Sequence, residues 1–244
     1  MQVCITLQFN GTRYHGFQVQ QNALSVCEVL QNAMEKLYGA RPPVKGCSRT
    51  DAGVHALGYC VSYRQPKPIE LFRLPLAINR FLPPDIRVLS AREVPDDFHA
   101  RYDALSKEYL YKLHNSAVDD VFAQDTAWRL ATPLDVEIMQ QTAQLLCGTH
   151  DYTAFMSAGS KIEDAVRTVH FFHVAKDGCD ITFHICADGY LYNMVRILVG
   201  TLVEVGAHRM TQQQAQQALE GRDRARAGDT APAKGLFLYR VNYK

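Results

Sequence analysis

Between residues 46 and 56 the chain reads GCSRTDAGVHA, which sets one carboxylate, Asp51, two residues after Arg49 and two before Gly53. A carboxylate serves as a nucleophile or a general base, and both roles need it held rigidly. Gly46 and Gly53 flank it, and glycines permit the tight turns that present a side chain from a short connection. The same composition suits an Asp that merely caps or turns the chain, so the stretch alone admits both readings. His55 fits a structural hydrogen bond better than a catalytic role.

The second candidate is Arg196. From Tyr190 to Gly206 only Arg196 and Glu204 carry charge, while Met194, Ile197, Leu198, Thr201, Leu202 and Val205 form one apolar helical stripe. Arg196 lies off that stripe, but its neighbours at three and four positions are Tyr192, Asn193, Val199 and Gly200, which is no plain solvated face. A partly buried guanidinium calls for a carboxylate partner. Asp51 is one such partner, and Glu204 or another acid has similar standing. Paired with Asp51, the arginine would hold the carboxylate ionised and aimed.

The third candidate, Tyr109 in SKEYLYKLH, shares one face of a strand with Tyr111 and Leu113. Core packing explains that spacing; so does a platform on which a base stacks, with a hydroxyl able to exchange a proton. Basic and aromatic residues mix in FHARYDALSKEYLYK and in EGRDRARAGD, a pattern that meets phosphates or simply faces water. Neither His15 and His55 nor His170 and His173 form a metal motif such as HExxH. The seven cysteines include no CxxC pair, which points to reduced, packed thiols and away from a structural zinc site; Cys27 and Cys147 fall inside apparent helices.

Something must position these groups. The 244 residues suffice for one large domain or two of about 100 to 150 residues. Hydrophobic residues at 47% and charged residues at 21% are ordinary for a folded chain and exclude a disordered one. A net charge of +1 means that any basic surface is local. Even YNMVRILVGTLVEVG is interrupted by charge, short of the roughly 18 apolar residues of a membrane span. The alternating start MQVCITLQFNG is unlike a signal peptide, so the chain reads as intracellular and cytoplasmic.

Val3, Ile5, Leu7 and Phe9 alternate with polar neighbours and predict a strand; Ser25 with Glu28 predicts a capping box for a helix that ends at Gly39. A strand is expected around Gly58 to Tyr63, a helix around Ile69 to Phe81 with Pro75 early, and a strand through Ile86 to Val94. A comparable order follows: a strand at Glu108 to His114, then a helix opened by Thr132, Pro133 and Asp135 and closed near Gly148. The hairpin TVHFFHVA and DITFHICA turns at Asp177-Gly178. Helices over Tyr190 to Val205 and Thr211 to Leu219 and a last strand in GLFLYRVNY complete the chain. The pattern predicts an α+β protein of two similar domains, 1–102 and 103–244, with mainly antiparallel sheets, helices on one face and the site in a cleft between the domains.

Five segments, YHGFQVQQ, GCSRTDAGVHA, FHARYDALSKEYLYKL, YNMVRILVGTLVEVG and GLFLYRVNY, occur in this order over nearly the whole chain. Together they resemble the TruA family of tRNA pseudouridine synthases, and the R-T-D-A-G-V-H string is highly specific. The resemblance implies the pseudouridine synthase fold and isomerisation of uridine to pseudouridine at positions 38–40 of the tRNA anticodon stem-loop. It makes Asp51 the catalytic aspartate, Arg49 and Tyr109 residues that hold the flipped nucleotide, and Arg196 the partner of the aspartate. It implies no cofactor and no metal, and a homodimer with tRNA crossing both subunits in basic clefts. Phe17 stands where many relatives carry Trp, and Glu163 and Asp164 fall in a loop through which relatives often contact RNA. The competing classes are an RNA-binding protein without turnover and a hydrolase that uses Asp51 on a small substrate; the absence of a paired second acid weighs against a glycoside-type hydrolase.

Overall fold

The computed structural model describes residues 1–159, 162 and 164–244, so Glu163 of the acidic loop lies outside the described residues. The chain packs as two compact units, Met1–Leu105 with Phe237–Lys244, and Ser106–Leu236.

The first unit contains strands β1 (Gln2–Phe9), β2 (Lys45–Gly46), β3 (His55–Arg64) and β4 (Ile86–Glu93), helices α1 (Val26–Tyr38) and α2 (Leu74–Asn79), and the terminal strand β10 (Leu236–Asn242). Its sheet runs β4-β1-β3-β10, with β2 also on β3. All pairs are antiparallel except β3 with β10, which are parallel where Phe237 meets His55. The two-residue period sets Val3, Ile5 and Leu7 opposite Tyr63, Val61 and Tyr59, all fully buried.

Helix α1 covers this face, its Tyr38 hydroxyl bonded to that of Tyr63 at 3.0 Å. Ser25 opens α1 by accepting the Glu28 amide, and Gly39 closes it at φ 71°, a left-handed cap that glycine adopts without strain. The opposite face is buried too. Ser62 Oγ accepts the Ala100 amide at 3.1 Å, and the Tyr243 hydroxyl donates to the Ala100 carbonyl at 2.6 Å, which shuts Cys4 and Cys60 away from water.

Helix α2 is shorter than the sequence predicts, six residues rather than Ile69 to Phe81. Pro75 lies in its first turn, where a missing N–H and a fixed φ fit a helix start and nothing earlier. At the other end Asn79 exchanges two hydrogen bonds with the Val88 backbone, at 2.8 and 2.9 Å, drawing the chain from helix to sheet.

The second unit contains β5 (Ser106–Asn115), β6 (Trp128–Leu130), α3 (Val136–Leu145), β7 (Gly148–Asp151), β8 (Val166–Asp177), β9 (Asp180–Ala187), α4 (Met194–Gly206) and α5 (Gln212–Gly221). Its sheet runs β5-β9-β8-β7, antiparallel throughout, and β6 joins β5 in parallel. Tyr109, Tyr111 and Leu113 face Ile185, Phe183 and Ile181 across β5 and β9, all buried. The hairpin turns at Gly178, φ 57°, as the Asp177-Gly178 signal predicts.

Two boundaries move. The apolar helix begins at Met194 rather than Tyr190, because Asn193 has φ 61° and a left-handed residue cannot continue a right-handed helix. Helix α3 ends at Leu145, which leaves Cys147 just beyond it, ahead of Gly148 at φ 109°. The α+β class with mainly antiparallel sheets stands as the sequence predicts. No described helix is long and apolar enough to cross a membrane.

Candidate active site

Asp51 lies in the connection from β2 to β3, half-buried, with Arg49 exposed two residues before it. The turn closes through main-chain atoms, the Val54 amide donating to the Asp51 carbonyl at 3.2 Å, with Gly53 at φ 77°. Forming this turn therefore does not require the carboxylate.

Residues 11–17, the connection after β1, form the bed for this loop. Gly53 donates to the Tyr14 carbonyl at 3.1 Å, and Gly11 donates to His55 Nδ1 at 2.9 Å. A side chain at Gly11 would overlap the Val54 carbonyl, and one at Gly16, where φ is 79°, would overlap that of Thr50. His55 is buried and stacked on Phe237 at 4.6 Å, and its Nδ1 accepts that Gly11 hydrogen bond, so its contacts are structural. On the other side the Tyr59 hydroxyl donates to the Ser48 carbonyl, and Phe17 stacks on the Tyr59 ring at 4.2 Å. Gly46 has no room for a side chain beside that pair. The Tyr14 hydroxyl donates to Asp85 at 2.8 Å and ties the bed to the start of β4.

Tyr109 and Arg196 belong to the second unit. Tyr109 is 6% exposed and meets Tyr190 edge to face, the rings 4.9 Å apart. The Tyr190 hydroxyl donates to the carbonyls of Lys107 and Ile185, at 2.9 and 3.3 Å, and burial drives it well above the usual phenol range. Tyr190 thus fixes both the ring of Tyr109 and the strands beneath it.

All of α4 is buried except its two charged residues, Arg196 and Glu204. Arg196 donates from Nε to the Ala231 carbonyl at 2.7 Å and from Nη1 to Asn193 Oδ1 at 2.8 Å. Asn193 is held in turn by Ser157 at 2.8 Å. Residues 228–231 strap the helix: Gly228 donates to Thr201 Oγ1 at 2.9 Å and Ala231 to the Arg196 carbonyl at 3.1 Å. The strap passes so close that a side chain on Gly200 would overlap the Asp229 carbonyl. Glu204, the alternative acid for Arg196, is gripped by Arg209 through two bonds of 2.7 Å, which pull its carboxyl below the usual range.

A family model described as tRNA pseudouridine synthase matches residues 5–103 and 142–244, most of the chain. The chain belongs to that family. Arg49, Asp51 and Arg196 fall within the matched segments and Tyr109 between them. The chain is 44% identical over 241 residues to "tRNA pseudouridine synthase A" of Moorella thermoacetica, covering 98% of each chain. It is 42% identical over 241 residues to proteins of the same name from Thermoanaerobacter sp. (strain X514) and Acetivibrio thermocellus, covering 99% of each. The two α+β units thus have the pseudouridine synthase fold, and the protein is an isomerase.

The bed of the Asp51 loop yields a direct prediction for the enzyme. Gly16→Ala introduces both a disfavoured φ and an overlap with the Thr50 carbonyl one residue from Asp51. Displacing this loop is expected to lower kcat by about 10²-fold, the scale on which ~1 Å of misplacement costs rate. The Tm of Gly16→Ala should fall as well, and single-turnover pseudouridine formation compared with thermal melting separates the two effects. Gly200→Ala pushes the 228–231 strap off α4; a loss of ~1–3 kcal/mol in chemical denaturation is expected, since overpacking carries that penalty.

The bed residues Gly11, Tyr14 and Gly16, the supporting Tyr190, and the Asn193 and Ala231 anchors of Arg196 are absent from the candidates read from sequence. A trace of the first group exists in two glycines flanking an aromatic in a connection. Tyr190 carried no such mark.

Proposed function

We propose that the enzyme isomerises uridine to pseudouridine at positions 38–40 of the tRNA anticodon stem-loop, with Asp51 as the catalytic residue. The observation that carries this reading is a carboxylate in the R-T-D-A-G-V-H string on a loop bracketed by backbone contacts from both sides. The reaction breaks the bond from ribose C1′ to uracil N1, turns the base, and joins C1′ to C5; the proton leaves C5 and N1 gains one. Asp51 attacks as a nucleophile or assists loss of a ribose proton, then helps remove the C5 proton.

The target uridine has to leave its stack, at a cost of a few kcal/mol offset by new contacts. Arg49 holds the nucleotide outside the stem, Tyr109 stacks on the flipped base, and Arg196 is the charge partner of Asp51. No cofactor or metal enters these steps. We propose further that the N-terminal 1–102 half carries the aspartate and the 103–244 half the tyrosine and arginine, and that the enzyme works as a cytoplasmic homodimer. In the acidic loop Asp164 accepts the Val166 amide at 2.9 Å, a local turn contact.

The test is to map pseudouridine by carbodiimide adducts and primer extension in tRNA transcripts carrying uridine at 38, 39 and 40. Stops at one or more of these positions are expected. Modification confined to other positions would overturn the site assignment, and no modification of any tRNA would overturn the activity.

A further inference from the structure

Beside the Asp51 loop the first unit carries a pocket of about 260 Å³ whose walls include Phe17, Gln18, Val19, Ser48, Arg49 and Arg101, but not Asp51. Arg49 and Arg101 are both exposed, and among the described residues neither guanidinium is paired with a carboxylate. Two cations on one concave wall repel each other unless an anion joins them. His99, two residues before Arg101, is held below its ordinary value first by burial, then by Lys45 and least by Arg101, against the opposing pull of Asp103. The Cys27 thiol on the pocket wall is pushed up to about 11, chiefly by burial, so no thiolate offsets the arginines.

The remaining walls have different chemistry. Phe17, only 3% exposed and fixed by its stack on Tyr59, closes the pocket with the edge of its ring; Val19 is 53% exposed; Gln18 and Ser48 supply donors and acceptors. Next to Arg101 in the chain, Tyr102, 74% exposed, meets His99 at a tilt with the rings 4.3 Å apart, and the Arg101 guanidinium lies 5.7 Å from its ring. Cations for a phosphate, an apolar slot and a few polar edges are what a nucleotide requires. The volume lies below the roughly 300–1,000 Å³ of sites for larger ligands, which fits a single unit of a chain.

We infer that this pocket receives the nucleotide adjoining the target uridine, its base lodged against Val19 beside Phe17 and its phosphate held by Arg101 and by Arg49, which at the link between the two nucleotides also keeps the target outside the stem. The inference rests on the proposed action on RNA. At most ~7 Å of chain separates Arg49 from Asp51, so a nucleotide held by Arg49 neighbours the one on which Asp51 acts. The pocket then fixes the strand beside the flipped base and contributes to the choice of tRNA.

The experiment measures the Kd of a fluorescent anticodon stem-loop for wild type, Arg101→Gln and Val19→Trp across a salt series, with thermal melts to confirm folding. Arg101→Gln is expected to weaken binding about tenfold and to reduce the slope of log K against log salt by about one. Val19→Trp, which fills part of the pocket, is expected to weaken binding about tenfold to intact RNA. It should have no further effect on an RNA that is abasic at the adjoining nucleotide, as a shared contact requires. Folded variants that both bind within twofold of wild type with unchanged salt slope would overturn the pocket, as would an equal Val19→Trp loss on every abasic RNA. Because the readout is binding, a wild type that binds RNA without converting uridine defeats the catalytic proposal alone.

Discussion

Asp51→Asn is expected to lower kcat for pseudouridine formation by at least ~10⁴-fold, the scale of removing a nucleophile or its equivalent, while tRNA affinity stays within about threefold. The substitution keeps the size of the side chain and removes its charge and nucleophilicity. The loop should keep its shape, because the bonds from Gly53 to Tyr14 and from Val54 to Asp51 run through main-chain atoms. The Gly11 bond to His55 and the Phe17 stack on Tyr59 are also untouched. Single-turnover kinetics with saturating enzyme check the chemical step, and a filter-binding isotherm checks affinity. A variant that retains more than a hundredth of the wild-type rate would remove Asp51 from the reaction.

Arg196→Lys is expected to lower kcat by about 10²- to 10³-fold although the positive charge remains. The guanidinium reaches the Ala231 carbonyl and Asn193 Oδ1 from two nitrogens in one plane, and a lysine ammonium cannot reproduce that fork. The residue left behind is mispositioned, and the Ala231 carbonyl and the Asn193 side chain lose a charged donor, worth ~1.5–3 kcal/mol each at most. Such a variant should therefore melt earlier as well as react more slowly. Comparison with Asn193→Ala separates the contributions: removing the Asn193 anchor alone is expected to reproduce part of the rate loss with the guanidinium intact. Full activity in Arg196→Lys would refute a positioning role for the fork.

Much of this was legible in the residues. Alternation in Val3 to Phe9 and in Ile181 to Ile185 specifies strands because one face of each is apolar, although in β1 the other face is largely buried as well; Ser25 with Gly39 marks both ends of α1 because cap chemistry is local. The R-T-D-A-G-V-H string drew attention to a carboxylate and an arginine on one short connection, and the loop geometry accommodates a rigid display of both. What escaped depends on partners remote in sequence. Gly16 reads as an ordinary turn residue until the Thr50 carbonyl is seen against it, and Gly200 as a helix weakness until the 228–231 strap is seen to need the space.

Two- to four-residue strands such as β2, β6 and β7 are too short to show a period. The parallel pairing of β10 with β3 follows from the return of the chain to the first unit, which nothing within GLFLYRVNY encodes. Helix α4 begins late because Asn193 spends its conformation on holding Arg196 and Ser157, a choice made by tertiary contacts rather than by propensity. The alternative acid Glu204 could be set aside only with Arg209 in view, a partner that lies past the end of α4 and carries no mark in the sequence.

The most direct test of the central claim uses tRNA labelled with tritium at uracil C5, because forming the C1′ to C5 bond must expel that hydrogen. Wild-type enzyme is expected to release tritium to water in step with the uridine converted at 38–40, and Asp51→Ala to release none while still binding the tRNA. Absence of release by wild type from every tRNA tested, or equal release by Asp51→Ala, would contradict the account.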